Sequence, residues 1–215
     1  DYKGKNGGII FPNPNAPTAI YMELDSVEDI IKSNQDSVVI VDEAYIDFGG
    51  QSAVKLIEKY DNLLVVQTYS KSRSMAGMRI GYAMGNERLI KALNDVKFSV
   101  NSYTMNATSL AYGAASMKDV DYFNETVNKI ISTRTRSEER LRELGFTFPE
   151  SKANFIFASH RSVPASVIFE ELKKRKIYVR YFAKPRIDNY LRITVGTDEQ
   201  MDKLFEALAE ITGDR

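Results

Sequence analysis

Residues 38–41 read Val-Val-Ile-Val, four consecutive β-branched residues with no polar position between them. A strand with one face in water alternates apolar and polar residues, whereas a strand covered on both faces does not. The run therefore predicts a strand that is buried on both faces. Such strands are typical of sheets with helices on either side, so the run favours an α/β layer.

The remainder of the first half supports this interpretation, because short apolar runs alternate with helical patterns. The predicted strands are residues 9–11, 38–41, 63–66 and 80–84. The predicted helices begin after Ser26 and then cover residues 52–59, 87–96 and 104–117. This alternation predicts an α/β domain over residues 1–118.

The second half has a different pattern. Apolar residues recur at helical spacing through a highly charged segment, which predicts a long linking helix over residues 119–145. A strand at 154–158, a helix at 163–175, strands at 177–182 and 190–195 and a helix at 198–211 are predicted to follow. Residues 146–215 are therefore expected to form a small α+β domain.

Composition excludes several classes of function. The 29 basic residues equal the 29 acidic ones, so no net charge attracts nucleic acid or an anionic membrane. The chain has no cysteine, which removes disulfides and thiolate chemistry, and no metal site is expected. Its one histidine, His160, is expected on the surface or in a loop. No membrane span or secretory signal is found in the sequence, so a cytoplasmic protein is expected.

The segment Asp42-Glu43-Ala44-Tyr45 follows the buried run directly. Ligands of open α/β sheets bind beyond the carboxyl ends of the strands, which places Asp42 and Tyr45 well for a site. Two alternatives stay open. Asp42 could cap a helix while Tyr45 packs, or the run could be the Walker B strand of an ATPase. The second alternative needs a Gly-x-x-x-x-Gly-Lys-Ser/Thr loop, which these 215 residues do not contain.

Lys71 follows the next predicted strand and has anion-binding groups around it. Thr68 and Ser70 supply hydroxyls, a turn over residues 74–77 exposes backbone N–H groups, and Arg79 supplies a guanidinium suited to phosphate. A lysine near other cations loses its proton more easily and becomes a nucleophile toward carbonyls. A phosphorylated aldehyde that reacts with lysine in this way is pyridoxal 5′-phosphate, whose ring nitrogen needs a carboxylate such as Asp42. Taken alone, Lys71 is more simply interpreted as a surface lysine, and it is the neighbouring groups that favour the site.

Five motifs carry a family resemblance: Asn13-Pro14-Asn15-Ala16-Pro17-Thr18, Asp42-Glu43-Ala44-Tyr45, Thr68-Tyr69-Ser70-Lys71, Ala76-Gly77-Met78-Arg79-Ile80-Gly81 and Leu191-Arg192-Ile193-Thr194. In this order they resemble the class I/II aminotransferases of fold type I, which use pyridoxal phosphate. Residues 97–102 and the pair Arg180 and Arg192 are most similar to the histidinol-phosphate aminotransferase group of histidine biosynthesis. The implied fold is part of a large α/β domain with a mainly parallel sheet, followed by a small α+β domain.

The resemblance implies a role for each residue of the cofactor site. Lys71 corresponds to the lysine that binds the cofactor aldehyde and shuttles a proton. Asp42 pairs with the pyridinium nitrogen, and Tyr45 hydrogen-bonds the phenolic oxygen of the ring. The residues that hold the cofactor phosphate are Thr68, Ser70 and Arg79.

It also implies a substrate site and a departure from the family pattern. Arg192 takes the substrate α-carboxylate as a bidentate clamp, and Arg180 lies near the far end, where a phosphate is expected. The family has asparagine where Ala16 stands and glycine where Ala19 stands, so Asn15 is the nearest amide for the ring oxygen. Family members also have an upstream segment that completes the cofactor pocket, so the chain is expected to be a piece without full activity.

The implied activity is amino-group transfer between histidinol phosphate, or a similar amino compound, and 2-oxoglutarate. The implied assembly is a homodimer, with small molecules rather than nucleic acid or membrane as partners. Two other functions stay open on the sequence. One is a decarboxylase of a phosphorylated amino acid that uses the same cofactor, and the other is a non-catalytic α/β binding module.

Overall fold

The computed structural model describes residues 2–213. They separate by packing into two units. The first contains the residues up to Asn15 together with Tyr21–Glu125, and the second contains Ala16–Ile20 together with the residues from Thr126 onward. The domain boundaries drawn from the sequence at residues 118 and 145 stay predictions.

The first unit is built on a four-stranded sheet in the order β1-β2-β3-β4. Its strands are β1 (Ile9–Pro12), β2 (Val39–Asp42), β3 (Leu63–Thr68) and β4 (Gly81–Gly85). The first three strands are parallel, and β4 pairs antiparallel with β3. The prediction of an α/β fold with a mainly parallel sheet is thus confirmed, and the carboxyl ends of β1, β2 and β3 lie along one edge.

One face of this sheet carries the core of the unit. Val39 and Val41 are fully buried among apolar residues of β3 and of helix α1 (Leu24–Lys32). Ile40, on the opposite face, is only half-buried. The apolar run predicts that both faces of β2 are buried. Among the described residues, only the face with Val39 and Val41 is fully buried.

The other helices are α2 (Glu87–Val100), α3 (Ala107–Lys118) and α4 (Val120–Glu143), which continues from the first unit into the second. The helix predicted over residues 52–59 was wrong, because only a 3₁₀ turn over Ala53–Leu56 forms there. The carboxylate of Glu43 accepts the Ala53 N–H at 2.6 Å, and the Ser52 side chain accepts that of Val54. These bonds fix the segment as a turn against the end of β2.

The second unit is a small antiparallel sheet in the order β5-β6-β8-β7. Its strands are β5 (Phe146–Thr147), β6 (Phe155–His160), β7 (Arg180–Tyr181) and β8 (Leu191–Thr194). Helices α5 (Ala165–Lys174) and α6 (Asp198–Thr212) cover one face and share an apolar core with the end of α4. The α+β prediction matches this unit, although β5 was not predicted and β7 is shorter than residues 177–182.

His160 is a buried residue rather than the surface or loop residue that the sequence indicates. It ends β6 and is 4% exposed, with its ring 4.9 Å from that of Phe146. Its Nδ1 accepts the backbone N–H groups of Ser162 and Val163. The imidazole therefore stabilises the turn that leads from β6 toward α5.

Among residues 2–213, no helix has both the length and the apolar character needed to cross a membrane.

Gly85 gives a stability prediction for the first unit. A Cβ added there would lie 2.8 Å from the carbonyl oxygen of Leu63, which belongs to the backbone of the neighbouring strand. We expect Gly85→Ala to lower the free energy of unfolding by about 1–3 kcal/mol, measured by urea denaturation. The control is Gly77→Ala, where nothing lies within 4 Å of an added Cβ. Equal losses in both variants would contradict the steric explanation.

Candidate active site

The loop between β3 and β4 begins and ends at the same place on the sheet. The Tyr69 N–H donates to the Ile80 carbonyl oxygen at 3.1 Å, and Thr68 Oγ1 lies 3.2 Å from that oxygen. Inside the loop, the Met75 N–H donates to the Tyr69 carbonyl oxygen. The segment that carries Lys71 is therefore a closed loop at the carboxyl end of β3.

Helix α3 supports this loop with three small residues on one face. Ser109 Oγ donates to the Met78 carbonyl oxygen at 2.8 Å, and the Ser116 carbonyl oxygen accepts from Arg73 at 2.7 Å. Gly113, between them, faces Ile80 so closely that a Cβ would lie 2.8 Å from the Ile80 side chain. Residues spaced by three and four share a helix face, so α3 holds the loop along its length.

Lys71 lies against Tyr45, which follows β2. The Lys71 Nζ is 5.3 Å from the centre of the Tyr45 ring. A second contact joins the same two loops, because Ser72 Oγ donates to the Asp47 carboxylate at 2.5 Å. Among residues 2–213, no carboxylate forms an ion pair with the Lys71 amine. Lys71 is thus a half-buried residue whose amine lies beside an aromatic ring and has no acidic partner in the described chain.

Asp42 is the last residue of β2. Its Oδ1 accepts the Ala44 N–H at 3.0 Å, so the side chain stabilises the turn after the strand rather than a helix. Its backbone oxygen accepts the Asn13 N–H at 2.8 Å, which joins the end of β1 to the end of β2. Within the described part of the chain, Oδ2 has no hydrogen-bond partner. One carboxylate oxygen is therefore available at the edge of the sheet.

The predicted phosphate-binding groups lie at the two ends of the closed loop. Thr68 Oγ1 is 2.9 Å from Ser70 Oγ and accepts the Ser70 N–H at 3.1 Å. Arg79 is exposed, has a left-handed backbone with φ of 55°, and donates to the Ala76 carbonyl oxygen. Asn15 is half-buried in the loop that follows β1. Because the Tyr69 N–H donates to the Ile80 carbonyl oxygen, the backbone of Ser70 and that of Arg79 lie near the point where the loop closes.

Glu43 supports this edge and was missed as a functional residue. It is 2% exposed and accepts hydrogen bonds from Ser52 Oγ, the Ala53 N–H and Gln67 Nε2. Burial raises the pKa of its carboxyl group, while these three hydrogen bonds act in the opposite direction. Glu43 therefore anchors the backbone directly after Asp42. A charged residue at the end of an apolar run was the available signal.

Ala19, in the second unit, stands at one departure from the family pattern. Its backbone is left-handed, with φ of 62°, and its carbonyl oxygen accepts the Lys152 N–H. Glycine is the residue that adopts this conformation most readily. The family glycine thus corresponds to a position where this chain places an alanine in the conformation that favours glycine.

The two predicted substrate residues are neighbours in the second unit. Arg180 in β7 and Arg192 in β8 are directly paired across the ladder. Neither guanidinium forms an ion pair or hydrogen bond within the part of the chain that the structure describes. Like charges opposite each other on two strands destabilise a sheet. The pair is therefore a concentrated positive charge that an anion would stabilise.

The structure thus groups the predicted residues in two sets. The first set lies in the first unit, at the carboxyl edge of its sheet, and consists of Asp42, Tyr45, Thr68, Ser70, Lys71 and Arg79. Asn15, in the same unit, lies in the loop that follows β1. Arg180 and Arg192 lie side by side in the second unit. The role of each residue toward cofactor or substrate stays a prediction.

The chain is similar in sequence to known aminotransferases. The sequence model of the family "aminotransferase class I and II" matches residues 1–208. A histidinol-phosphate aminotransferase of Clostridium acetobutylicum is 55% identical over 205 residues, which are 95% of this chain and 58% of the relative. One of Brachyspira hyodysenteriae is 52% identical over 212 residues, covering 98% of this chain and 60% of the relative. The chain thus spans about three fifths of the length of these curated relatives.

A solved structure has the same fold. Histidinol-phosphate aminotransferase from Sinorhizobium meliloti, crystallised in complex with pyridoxal 5′-phosphate, superposes with a TM-score of 0.85 at 23% identity. The superposition covers 96% of this chain and 57% of that structure. At this identity the likeness establishes the fold alone.

Proposed function

Because this chain belongs to the class I and II aminotransferase family, we propose that the complete protein is an aminotransferase that depends on pyridoxal 5′-phosphate. The proposed amino donor is histidinol phosphate or a similar amino compound, and the proposed acceptor is 2-oxoglutarate. The observation that carries the proposal is that the amine of the half-buried Lys71 lies beside Tyr45, at the sheet edge where Asp42 ends its strand. The names of the 52–55% identical relatives support the donor.

The residues of the first unit fit the chemical groups of the cofactor. An amine without an acidic partner in the described chain suits an aldehyde, and Lys71 supplies it. A carboxylate oxygen without a hydrogen-bond donor suits a protonated ring nitrogen, and Asp42 supplies it. Hydroxyls and a guanidinium suit a phosphate, and Thr68, Ser70 and Arg79 supply them. Tyr45 and Asn15 are proposed to hydrogen-bond the phenolic oxygen of the ring.

These residues have separate tasks in amino-group transfer. When bound, pyridoxal phosphate supplies an electron sink for the electron pair released at the substrate α-carbon. Lys71 would act as the general base that takes the proton from that carbon and, holding this proton on its amine, as the general acid that gives it back during the transfer. Asp42 keeps a proton on the ring nitrogen, because a nearby negative charge favours the protonated form.

The arginines of the second unit are proposed to bind the substrate anions. Arg192 is placed to clamp a carboxylate with two parallel hydrogen bonds, and Arg180 to bind the phosphate at the far end of the substrate. The support is their direct pairing across two strands with no acidic partner in the described chain. Two arginines paired across strands lower the stability of the sheet unless an anion lies between their charges. Binding of an anionic substrate would explain why the chain keeps this pair.

We further propose a cytoplasmic homodimer. Several large apolar side chains of α2, α3 and the segment between them are exposed, including Phe98, Val100, Tyr103 and Tyr112. Clusters of exposed apolar residues mark interaction surfaces. A partner subunit or the additional length of the relatives could cover them, so sedimentation of the complete protein is the test of the dimer.

A donor screen with the complete protein tests the proposed activity. With pyridoxal phosphate and 2-oxoglutarate, we expect glutamate to form from histidinol phosphate. Histidinol, the same donor without its phosphate, should show a kcat/KM lower by at least about 10²-fold, because the arginines lose their partner. Carbon dioxide release from a phosphorylated amino acid without glutamate would replace the proposal with a decarboxylase. No cofactor binding at all would favour a binding module.

A further inference from the structure

The sheet of the second unit has one apolar face and one face that carries arginines on aromatic rings. Arg192 in β8 is paired with Phe157 of β6 on one side and with Arg180 of β7 on the other. Phe155 of β6 is paired with Thr194 of β8. Paired residues and residues two apart share a face, so these side chains lie together. Ile156, Leu191 and Ile193 alternate with them and belong to the core on the other face.

Arg192 is held by a ring that is diagonal to it rather than opposite. Its guanidinium carbon is 5.2 Å from the centre of the Phe155 ring and 6.0 Å from that of Phe182. The opposite residue, Phe157, instead stacks on Tyr190 with centres 4.7 Å apart and ring planes 8° apart. Phe155 is 2% exposed, so its ring is fixed by packing and offers Arg192 a rigid surface.

An aromatic support differs from an acidic one in what it leaves free. A carboxylate would occupy the N–H fork of the arginine and neutralise its charge before any substrate arrives. A ring attracts the cation through its face and uses none of the five N–H donors. An arginine that must bind an anion reversibly is therefore better positioned by a ring.

We propose that Phe155 is a positioning residue that holds the Arg192 guanidinium ready for a substrate anion while leaving its charge and its donors available. This inference rests on the proposed function, because it needs Arg192 to bind substrate. Phe182, at a greater distance from Arg192 and also 5.5 Å from Arg180, is the shared neighbour of both arginines.

The test compares Phe155→Leu with Phe157→Leu in the complete protein. The two residues lie in the same strand and on the same face, and they are equally buried, but only Phe155 contacts the arginine through its ring. We expect Phe155→Leu to raise KM for histidinol phosphate about three- to tenfold, with kcat changed less than twofold. Phe157→Leu should leave KM unchanged. Should Phe155→Leu fail to fold, Phe155→Met keeps more of the volume and removes the ring.

A second readout does not depend on activity. The Nε–H signal of Arg192 in NMR spectra, assigned by its loss in Arg192→Lys, should move in Phe155→Leu because the ring current is lost. It should stay in place in Phe157→Leu. An unmoved signal in Phe155→Leu, or equal rises of KM in both leucine variants, would overturn the inference.

Arg192→Gln separates this inference from the proposed function. If Arg192→Gln raises KM while Phe155→Leu behaves like Phe157→Leu, Arg192 binds substrate and the positioning role of Phe155 is wrong. If Arg192→Gln leaves KM unchanged, the substrate role of Arg192 fails first, and the positioning role fails with it.

Discussion

Lys71→Ala is expected to abolish amino transfer by the complete protein, with kcat reduced by at least about 10³-fold. The variant removes the only side chain of the closed loop that can both react with an aldehyde and carry a proton at the substrate α-carbon. Its amine is 5.3 Å from the centre of the Tyr45 ring. The fold should persist, because the loop is held by the backbone bonds of Tyr69 and by α3 rather than by the Lys71 amine.

The measurement combines stopped-assay turnover with the absorption spectrum after addition of pyridoxal phosphate. The lysine-linked chromophore should be missing in Lys71→Ala, and free cofactor should be removable by dialysis. Lys55→Ala, an exposed lysine of the same unit, is the matched control and should keep both properties. A lysine-linked chromophore that survives in Lys71→Ala would show that another amine holds the cofactor.

Asp42→Asn is expected to have the second-largest effect, with kcat lower by about 10²- to 10³-fold. Asparagine keeps the oxygen that accepts the Ala44 N–H, so the turn after β2 should remain. It loses the negative charge, and a neutral amide does not stabilise a proton on the ring nitrogen as a carboxylate does. The covalent link at Lys71 should still form, which distinguishes this variant from Lys71→Ala.

The test measures kcat and cofactor binding for Asp42→Asn and for a control variant. Asp36→Asn makes the same chemical change at an exposed site before the amino end of β2, and its kcat should be unchanged. A kcat for Asp42→Asn within twofold of the parent protein would remove Asp42 from the ring-nitrogen role.

Much of the first unit could be predicted because its signals are local. The Val-Val-Ile-Val run becomes β2, and the apolar run before Lys71 becomes β3, since burial selects β-branched residues within a few positions. Parallel pairing then places the segments after both strands on one edge. Lys71 and Tyr45 lie close together because each follows one of two adjacent parallel strands, although they are far apart in sequence.

The contacts that could not be predicted connect residues far apart in the chain. The turn over Ala53–Leu56 replaces a predicted helix because Glu43, ten residues before Ala53, accepts the Ala53 N–H and the Ser52 side chain accepts that of Val54. The Ser72–Asp47 bond and the Ser109–Met78 bond likewise leave no mark in the local pattern. His160 is buried because Phe146 and two backbone N–H groups surround it, which its polar sequence neighbours do not indicate.

The residue that captures pyridoxal phosphate can be identified directly. The complete protein would be mixed with the cofactor, reduced with borohydride, digested with a protease, and its peptides examined by mass spectrometry. We expect the added phosphopyridoxyl mass on Lys71 and on no other residue in stoichiometric amount. Labelling of a different lysine, or no labelling under conditions where amino transfer proceeds, would contradict it.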